Sequence, residues 1–373
     1  MNNSLRLCFF GDFVAPTVDS LEIGDKLKSL ISHSDINVLN FEAPVKSIGK
    51  PIKKSGPNLY QSAEAPKWIE NNGFNLITLS NNHLFDYGEI GYKETVSHFN
   101  SSILVGAGIW DEAYKPIVLE IKGYKLAFLS LTHFEFGTLT DSFEKDNIGC
   151  AWINHPYVDN IIGNIRREVD FLFLLLHAGV ENVEQPLPEW RERYRSFIDL
   201  GCDAVIASHP HIPQGWEEYK GKPIFYSLGN FYFPKDYEKP WYWYRSLCVS
   251  MLIEDNKLSY KVEPLFYNKK IIDICRDTII ENYMSRIQDT LQDYDKYMEE
   301  INKICQQHLP IYYNLFYNGG LLELRFNIQM IKRFIRFILG RVSIKEESLI
   351  NNLRCESHRW CLSRALHNKY NIK

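Results

Sequence analysis

Five times in its first 211 residues the chain runs through an apolar, strand-like stretch and stops on a residue able to bind a metal or move a proton. The stretches are Leu5 to Phe10 before Gly11-Asp12, Ile36 to Phe41 before Glu42, and Phe74 to Leu79 before Asn81-Asn82-His83. Phe171 to Leu176 before His177 and Ala204 to Ala207 before Ser208-His209-Pro210-His211 complete the set. In open α/β sheets, ligands and catalytic groups collect beyond the carboxyl ends of the strands, where loops from separate strands converge. One shared site is the economical reading of all five.

Up to about residue 268, short apolar strands alternate with amphipathic or Gly/Pro-punctuated connections, the pattern of a layered α/β domain. Tyr124 to Leu131 reads as a further strand and Glu189 to Leu200 as a helix leading to Gly201. Ser246 to Ile253 and Leu258 to Val262, separated by Glu254-Asp255-Asn256-Lys257, read as a hairpin at the end of that domain. The division expected is a domain over 1–268 and a helical region over 269–373. At 373 residues and 45% hydrophobic content, the chain has ample material for a large core. A formal net charge of -4 gives no general attraction to nucleic acid, and none is expected as a partner.

The eight cysteines are scattered and form no Cys-x-x-Cys pair, which fits a reducing cytoplasm. No apolar run approaches the roughly 20 residues of a membrane span, and Met1 to Phe10 is short for a secretory signal. A peripheral position at the inner face of the membrane is compatible with both observations.

Asp12, Glu42, Asn82, His177, His209 and His211 offer two carboxylates, an amide oxygen and three imidazoles. That mixture suits one or two borderline divalent ions such as Mn²⁺, Fe²⁺ or Zn²⁺, whereas Ca²⁺ asks for more oxygens and structural zinc for thiolates. In extended backbone, His209 and His211 would point the same way across Pro210. His83, one residue beyond a possible amide ligand, is left free to donate a proton, and Asp86 could orient its ring. The bland alternative makes Asn81-Asn82 and Asp86-Tyr87-Gly88 turn residues that carry His83 along.

Gly11-Asp12, Asn40-Phe41-Glu42, Asn81-Asn82-His83 with Asp86-Tyr87-Gly88, His177-Ala178-Gly179-Val180-Glu181, His209-Pro210-His211 and Tyr226-Ser227-Leu228-Gly229-Asn230-Phe231 resemble, in order, the CapA or poly-gamma-glutamate capsule biosynthesis family. The resemblance implies kinship to calcineurin-like metallophosphatases: a four-layer αββα sandwich with a helical C-terminal appendage here, and a dinuclear metal centre. It implies Asp12 and Glu42 as carboxylate ligands with Glu42 bridging, Asn82, His177 and His209 on one ion, His211 on the other, and His83 as general acid. Asn40, Glu181, Asn230 and Arg245 are possible additional contacts. Two departures from the phosphatase pattern stand out. Asp12 is followed by Phe13 and Val14, so the Asp-x-His histidine is missing, and a glutamate takes the place of the usual bridging aspartate. One metal position is thereby short of a ligand, leaving it weak, vacant, or completed by a residue such as Glu181.

The implied activity is metal-dependent hydrolysis of a phosphoester or phosphodiester, with an amide second, in making a capsule or other envelope polymer. The substrate would be an acidic or phosphorylated polymer or small molecule. The rival is a non-catalytic scaffold with a degenerate site, held in a synthase complex. The missing histidine favours the rival; a free acid at His83 favours chemistry.

Three further features have two readings each. The aromatic stretch Phe231 to Arg245 is either a stacking wall over the site or ordinary packing. Lys53-Lys54 and Arg245 are anion contacts or solvated charges. The basic amphipathic run Phe326 to Arg341 packs on the domain, or meets a membrane surface or a synthase partner. Finally, Cys355-x-x-His358-x-x-Cys361 with His367 can be drawn as a zinc site, although its spacing matches no standard knuckle.

Overall fold

Near-continuous apolar runs such as Phe-Leu-Phe-Leu-Leu-Leu have no polar face to offer water, so they become strands covered on both sides. The computed structural model, which describes residues 4–318 except 47–48, 144, 236 and 269, and residues 346–370, places them in two large sheets. One has six strands in the order Trp216–Tyr219, Lys222–Phe225, Ala204–Ser208, Phe171–His177, Tyr124–Thr132, Ile117–Ile121. The other has nine. Its main path is Glu22–Ile23, Ile271–Ile274, Lys257–Tyr267, Arg245–Glu254, Leu5–Phe13, Ile36–Phe41, Leu76–Thr78, Ile103–Val105, and Asn230–Tyr232 pairs with the end of Leu5–Phe13.

Period-two alternation divides each strand between two cores. Leu5, Leu7 and Phe9 turn inward to meet Phe128, Phe173 and Leu175 of the other sheet, with the rings of Phe9 and Phe173 at 5.8 Å. Cys8 and Phe10 turn outward to Leu27, Ile31 and Ile69 from the helices Asp25–Ser32 and Ala65–Asn71. The six-stranded sheet is covered outside by Val158 and Ile162 of Tyr157–Ile165 and by Trp190, Tyr194 and Phe197 of Pro188–Asp199. The result is the expected four-layer αββα sandwich.

The hairpin is present as Arg245–Glu254 and Lys257–Tyr267, with Asp255 and Asn256 both at positive φ, as a two-residue turn of matching twist demands. It is built into the middle of the sheet: Arg245–Glu254 lies antiparallel against Leu5–Phe13, Leu5 opposite Ile253. The sheet then continues past residue 268, because Ile271–Ile274 pairs with Lys257–Tyr267. Helices begin at Thr278–Gln292, whose first turn is capped by Asp277 accepting from the Ile280 amide at 2.8 Å.

The later helices Tyr294–Asn318 and Glu356–Tyr370 are not a separate body. Ile301, Ile304, Cys305, Cys361 and Ala365 join the outer core of the six-stranded sheet. The buried Glu356 carboxylate accepts from the Phe134 amide at 2.8 Å, Trp152 Nε1 at 2.6 Å and Asn154 Nδ2 at 3.2 Å. The run Phe326 to Arg341 lies outside the described residues.

Candidate metal centre

Both sheets deliver polar residues to the same end. Asp12 closes Leu5–Phe13, Glu42 follows Ile36–Phe41, Asn82 follows Leu76–Thr78, His177 closes Phe171–His177, and His209 and His211 follow Ala204–Ser208. All six are buried. His177 Nε2 stands 3.0 Å from Asn82 Oδ1, 3.2 Å from His209 Nδ1 and 3.6 Å from Glu42 Oε1, while its Nδ1 is 3.6 Å from Asp12 Oδ1. His211 approaches the carboxylates from the other side, with Nδ1 3.5 Å from Asp12 Oδ2 and Nε2 3.7 Å from Glu42 Oε1.

The backbone fixes these positions. An added Cβ at Gly11 would fall 1.8 Å from the carbonyl oxygen of Gly229, to which the Asp12 amide donates at 3.0 Å, so only glycine lets the two segments close. The His209 amide donates to Asp12 Oδ2 at 3.2 Å, tying the two sheets together. His209 and His211 take φ of 105° and 63°, so the loop is not the extended segment expected; strained backbone turns their rings together, centroids 5.9 Å apart.

Asn40 donates Nδ2 to Asp12 Oδ1 at 2.7 Å, and Asn230 Oδ1 lies 3.1 Å from His211 Nδ1, so both orient donors. Arg245 is elsewhere: its guanidinium pairs with Asp277 at 3.6 Å beside the Trp241 ring. Glu181 is exposed on the rim of the cleft. At the missing histidine position, Val14 is buried and engaged through its amide with the Tyr232 carbonyl at 2.7 Å.

Burial lowers the His177 imidazole to about 3 despite the opposing Asp12 charge, and depresses His209 well below its usual range, so both are neutral and able to coordinate. Glu42 is pushed well up, first by burial and then by the Asp12 charge. Its two oxygens have no hydrogen-bond partner. Such a carboxylate among neutral imidazoles is costly by itself and well matched to a divalent cation, so the residues fit one.

Beside Asn82, His83 Nδ1 donates to Asp86 Oδ2 at 2.7 Å, and Lys54, whose Nζ is 3.0 Å from the same nitrogen, pairs with Asp86 Oδ1. Burial, then the Lys54 charge, lowers the His83 proton affinity against the pull of Asp86. These groups line a cleft of about 330 Å³ whose far wall is His308, Tyr312, Asn351 and His358 from the C-terminal helices.

The aromatic stretch divides. Phe233 and Trp243 wall His211 at 5.3 and 5.2 Å, whereas Trp241 and Tyr242 pack on Tyr283. Missed from sequence were His133 and Glu135, which follow Tyr124–Thr132 as a sixth polar strand end. Glu135 Oε2 accepts from Asn82 Nδ2 at 3.0 Å, turning the Asn82 oxygen toward His177.

Residues 11–235, all six motifs of this centre included, match the family model described as bacterial capsule synthesis protein PGA_cap. The chain belongs to that family. It is 31% identical over 220 residues to the capsule biosynthesis protein CapA of Bacillus anthracis, covering 56% of this chain and 53% of that protein. It is 29% identical over 212 residues to the PGA biosynthesis protein CapA of Bacillus subtilis, covering 55% of each. This PGA_cap chain thus spans about half the length of those relatives. A probable polyglutamine synthesis accessory protein of Mycobacterium tuberculosis is 25% identical over 167 residues, 42% of this chain and 44% of that one. Among solved structures, the 5'-nucleotidase of Candida albicans matches with a TM-score of 0.42 and 14% identity, over 79% of this chain and 56% of that one. Among the described residues no helix is long and apolar enough to cross a membrane.

Proposed function

We propose that this PGA_cap protein is a metal-dependent hydrolase of phosphoesters or phosphodiesters that acts in making a capsule or poly-gamma-glutamate-like polymer. The observation that carries the reading is the pair of unpartnered, buried Glu42 oxygens beside neutral His177 and His209. Asp12, Glu42, His177, His209, His211 and the Asn82 amide oxygen would hold one or two ions of the Mn²⁺, Fe²⁺ or Zn²⁺ type. Bound there, such an ion supplies activation of water and stabilisation of negative charge on the substrate.

The chain's own residues supply the rest. In the imidazolium form, which burial and Lys54 make easy to deprotonate, His83 is held by Asp86 through Nδ1 and has an Nε2 proton to give to the leaving oxygen. Glu135 holds the Asn82 amide, and Lys54, His308 and His358 line the cleft together with Glu135 and Glu181.

A second reading, an accessory protein of a polymer synthase, is favoured by Val14 at the missing ligand position and by the printed name of the mycobacterial relative. The two separate on His83→Ala. Under the hydrolase reading, metal content stays and turnover of phosphoesters by the Mn²⁺- or Zn²⁺-loaded full chain falls by about 10²–10⁴-fold. Full polymer production by a strain carrying His83→Ala, with no turnover in the parent protein, establishes the accessory reading instead.

A further inference from the structure

Among the described residues a second group of donors converges, and it shares no member with the first. His133 and Glu135 follow the strand Tyr124–Thr132, and Cys355 arrives from the C-terminal helices, 222 residues beyond His133 in the chain. One donor atom from each residue lies within 4.8 Å of the other two. Cys355 Sγ stands 4.0 Å from His133 Nδ1, and Glu135 Oε1 stands 3.7 Å from His133 Nε2. These two contacts reach opposite nitrogens of the His133 ring, of which an ion takes one; zinc bonds of about 2.0–2.3 Å in a tetrahedral arrangement put donors roughly 3.4–3.6 Å apart, so donors spread over as much as 4.8 Å would draw together by about 1 Å.

His133 and Cys355 are fully buried, and His133 Nε2 has no hydrogen-bond partner. A buried polar atom left unpaired is costly, and this one stands 3.7 Å from the Glu135 carboxylate. Glu135 accepts from Asn82 through Oε2 and turns Oε1 toward His133. Glu135 also lines the cleft, which gives an ion a way in.

We propose that His133, Glu135 and Cys355 bind a divalent borderline ion, zinc or its cobalt substitute, at a site separate from the Asp12 and Glu42 centre. Binding forms the metal–sulfur bond as the Cys355 thiol releases its proton to solvent. Thiolate, carboxylate and neutral imidazole then balance the two positive charges of the ion in a buried place. The fourth position is open to water or to a ligand in the cleft. The Cys-x-x-His-x-x-Cys spacing of the tail does not make this site. His358 Nδ1 is engaged by Asn352 Oδ1 at 2.8 Å, Cys361 packs beside Cys305, and His367 Nδ1 bonds back to the Ser363 carbonyl. The site would make the C-terminal helices a clamp on the sheet ends, since one ligand comes from them and two from the sheet. The inference is independent of the hydrolase reading.

Titration of the metal-free full chain with Co²⁺ tests it, because only a thiolate ligand gives the intense near-ultraviolet sulfur-to-cobalt absorption. The expected result is one equivalent of that band, absent in Cys355→Ser and retained in both Cys361→Ser and His211→Ala. Zinc content should fall by one equivalent in Cys355→Ser alone among the cysteine variants. Absence of the band from the parent chain at saturating Co²⁺ overturns the site, as does a band of full intensity in Cys355→Ser. The parent and His211→Ala spectra decide the matter even where Cys355→Ser fails to fold. Loss of cobalt from the first centre in His211→Ala with the band intact separates failure of one site from failure of the other.

Discussion

Replacement of Glu42 by glutamine should change the stability of the chain in opposite directions with and without metal. Glu42 is buried, its two oxygens are unpartnered, and its carboxyl is pushed well above the usual range by burial and by Asp12. Each orphaned buried acceptor costs roughly 1–3 kcal/mol, and the glutamine amide can donate to His211 Nε2, now 3.7 Å from Glu42 Oε1. In chelator, Glu42→Gln should therefore be more stable than the parent by about 1–3 kcal/mol. The sign with pH follows from linkage: a raised folded pKa means stability is intact below the unfolded value and is lost as pH rises through the folded one. The gain of the variant should accordingly grow as pH increases from about 4.5. With Mn²⁺ or Zn²⁺ at a hundred times its dissociation constant the parent gains about 2.7 kcal/mol, which the variant largely forfeits. For a chain of 373 residues this is roughly 3–4 °C in Tm. Thermal melts by circular dichroism in chelator and in metal decide it. Equal destabilisation of the variant in both conditions would refute the reading of Glu42 as a carboxylate built for a cation.

The buried His177, depressed to about 3 in the fold, should make the metal-free chain lose stability as pH falls from 6.5 toward 3, by up to about 5 kcal/mol. His177→Asn should flatten that limb in pH-dependent urea melts. Gly11→Ala should cost at least 1–3 kcal/mol, because its Cβ meets the Gly229 carbonyl, and should lower metal affinity as Asp12 moves; calorimetry measures both. Glu356→Ala strands three donors and should destabilise by about 3–5 kcal/mol, with protease cutting the tail before the domain. Lys54→Met, which leaves Asp86 buried beside His83 without its cation, should cost a similar amount, and Lys54→Met with Asp86→Asn should recover much of it in urea melts.

The strand ends were legible in the sequence because burial on both faces writes itself as a run of Val, Ile, Leu and Phe that halts abruptly at the first polar ligand. The same rule applied to Tyr124 to Leu131 reaches His133 and Glu135, but the intervening Thr132 and Phe134 blur the point where the apolar run halts. The His133 partner Cys355 is 222 residues away, and pairing at that separation leaves no local mark. Arg245 lies away from the centre for a related reason: it starts a strand whose register sets it opposite Phe266 of Lys257–Tyr267, and that register is a tertiary property. The His-Pro-His loop brings its two rings together by another local route than the one expected, since positive φ at both histidines replaces the extended backbone.

The pairing of Leu5 with Ile253 joins residues separated by 253 − 5 = 248 positions at the middle of a sheet. During synthesis, Leu5–Phe13 must wait for one of the last strands of its sheet. Until then Leu5–Phe13 presents an apolar, unpaired edge, the kind of surface that invites aggregation. Loop closure over such a distance slows folding, because its entropy is spent before the contacts form. A fragment ending at residue 235, where the family match stops, would keep the metal ligands and lose the strand that covers them. Expression of that fragment should yield insoluble protein, whereas supplying residues 236–373 as a second chain in the same cell should restore solubility.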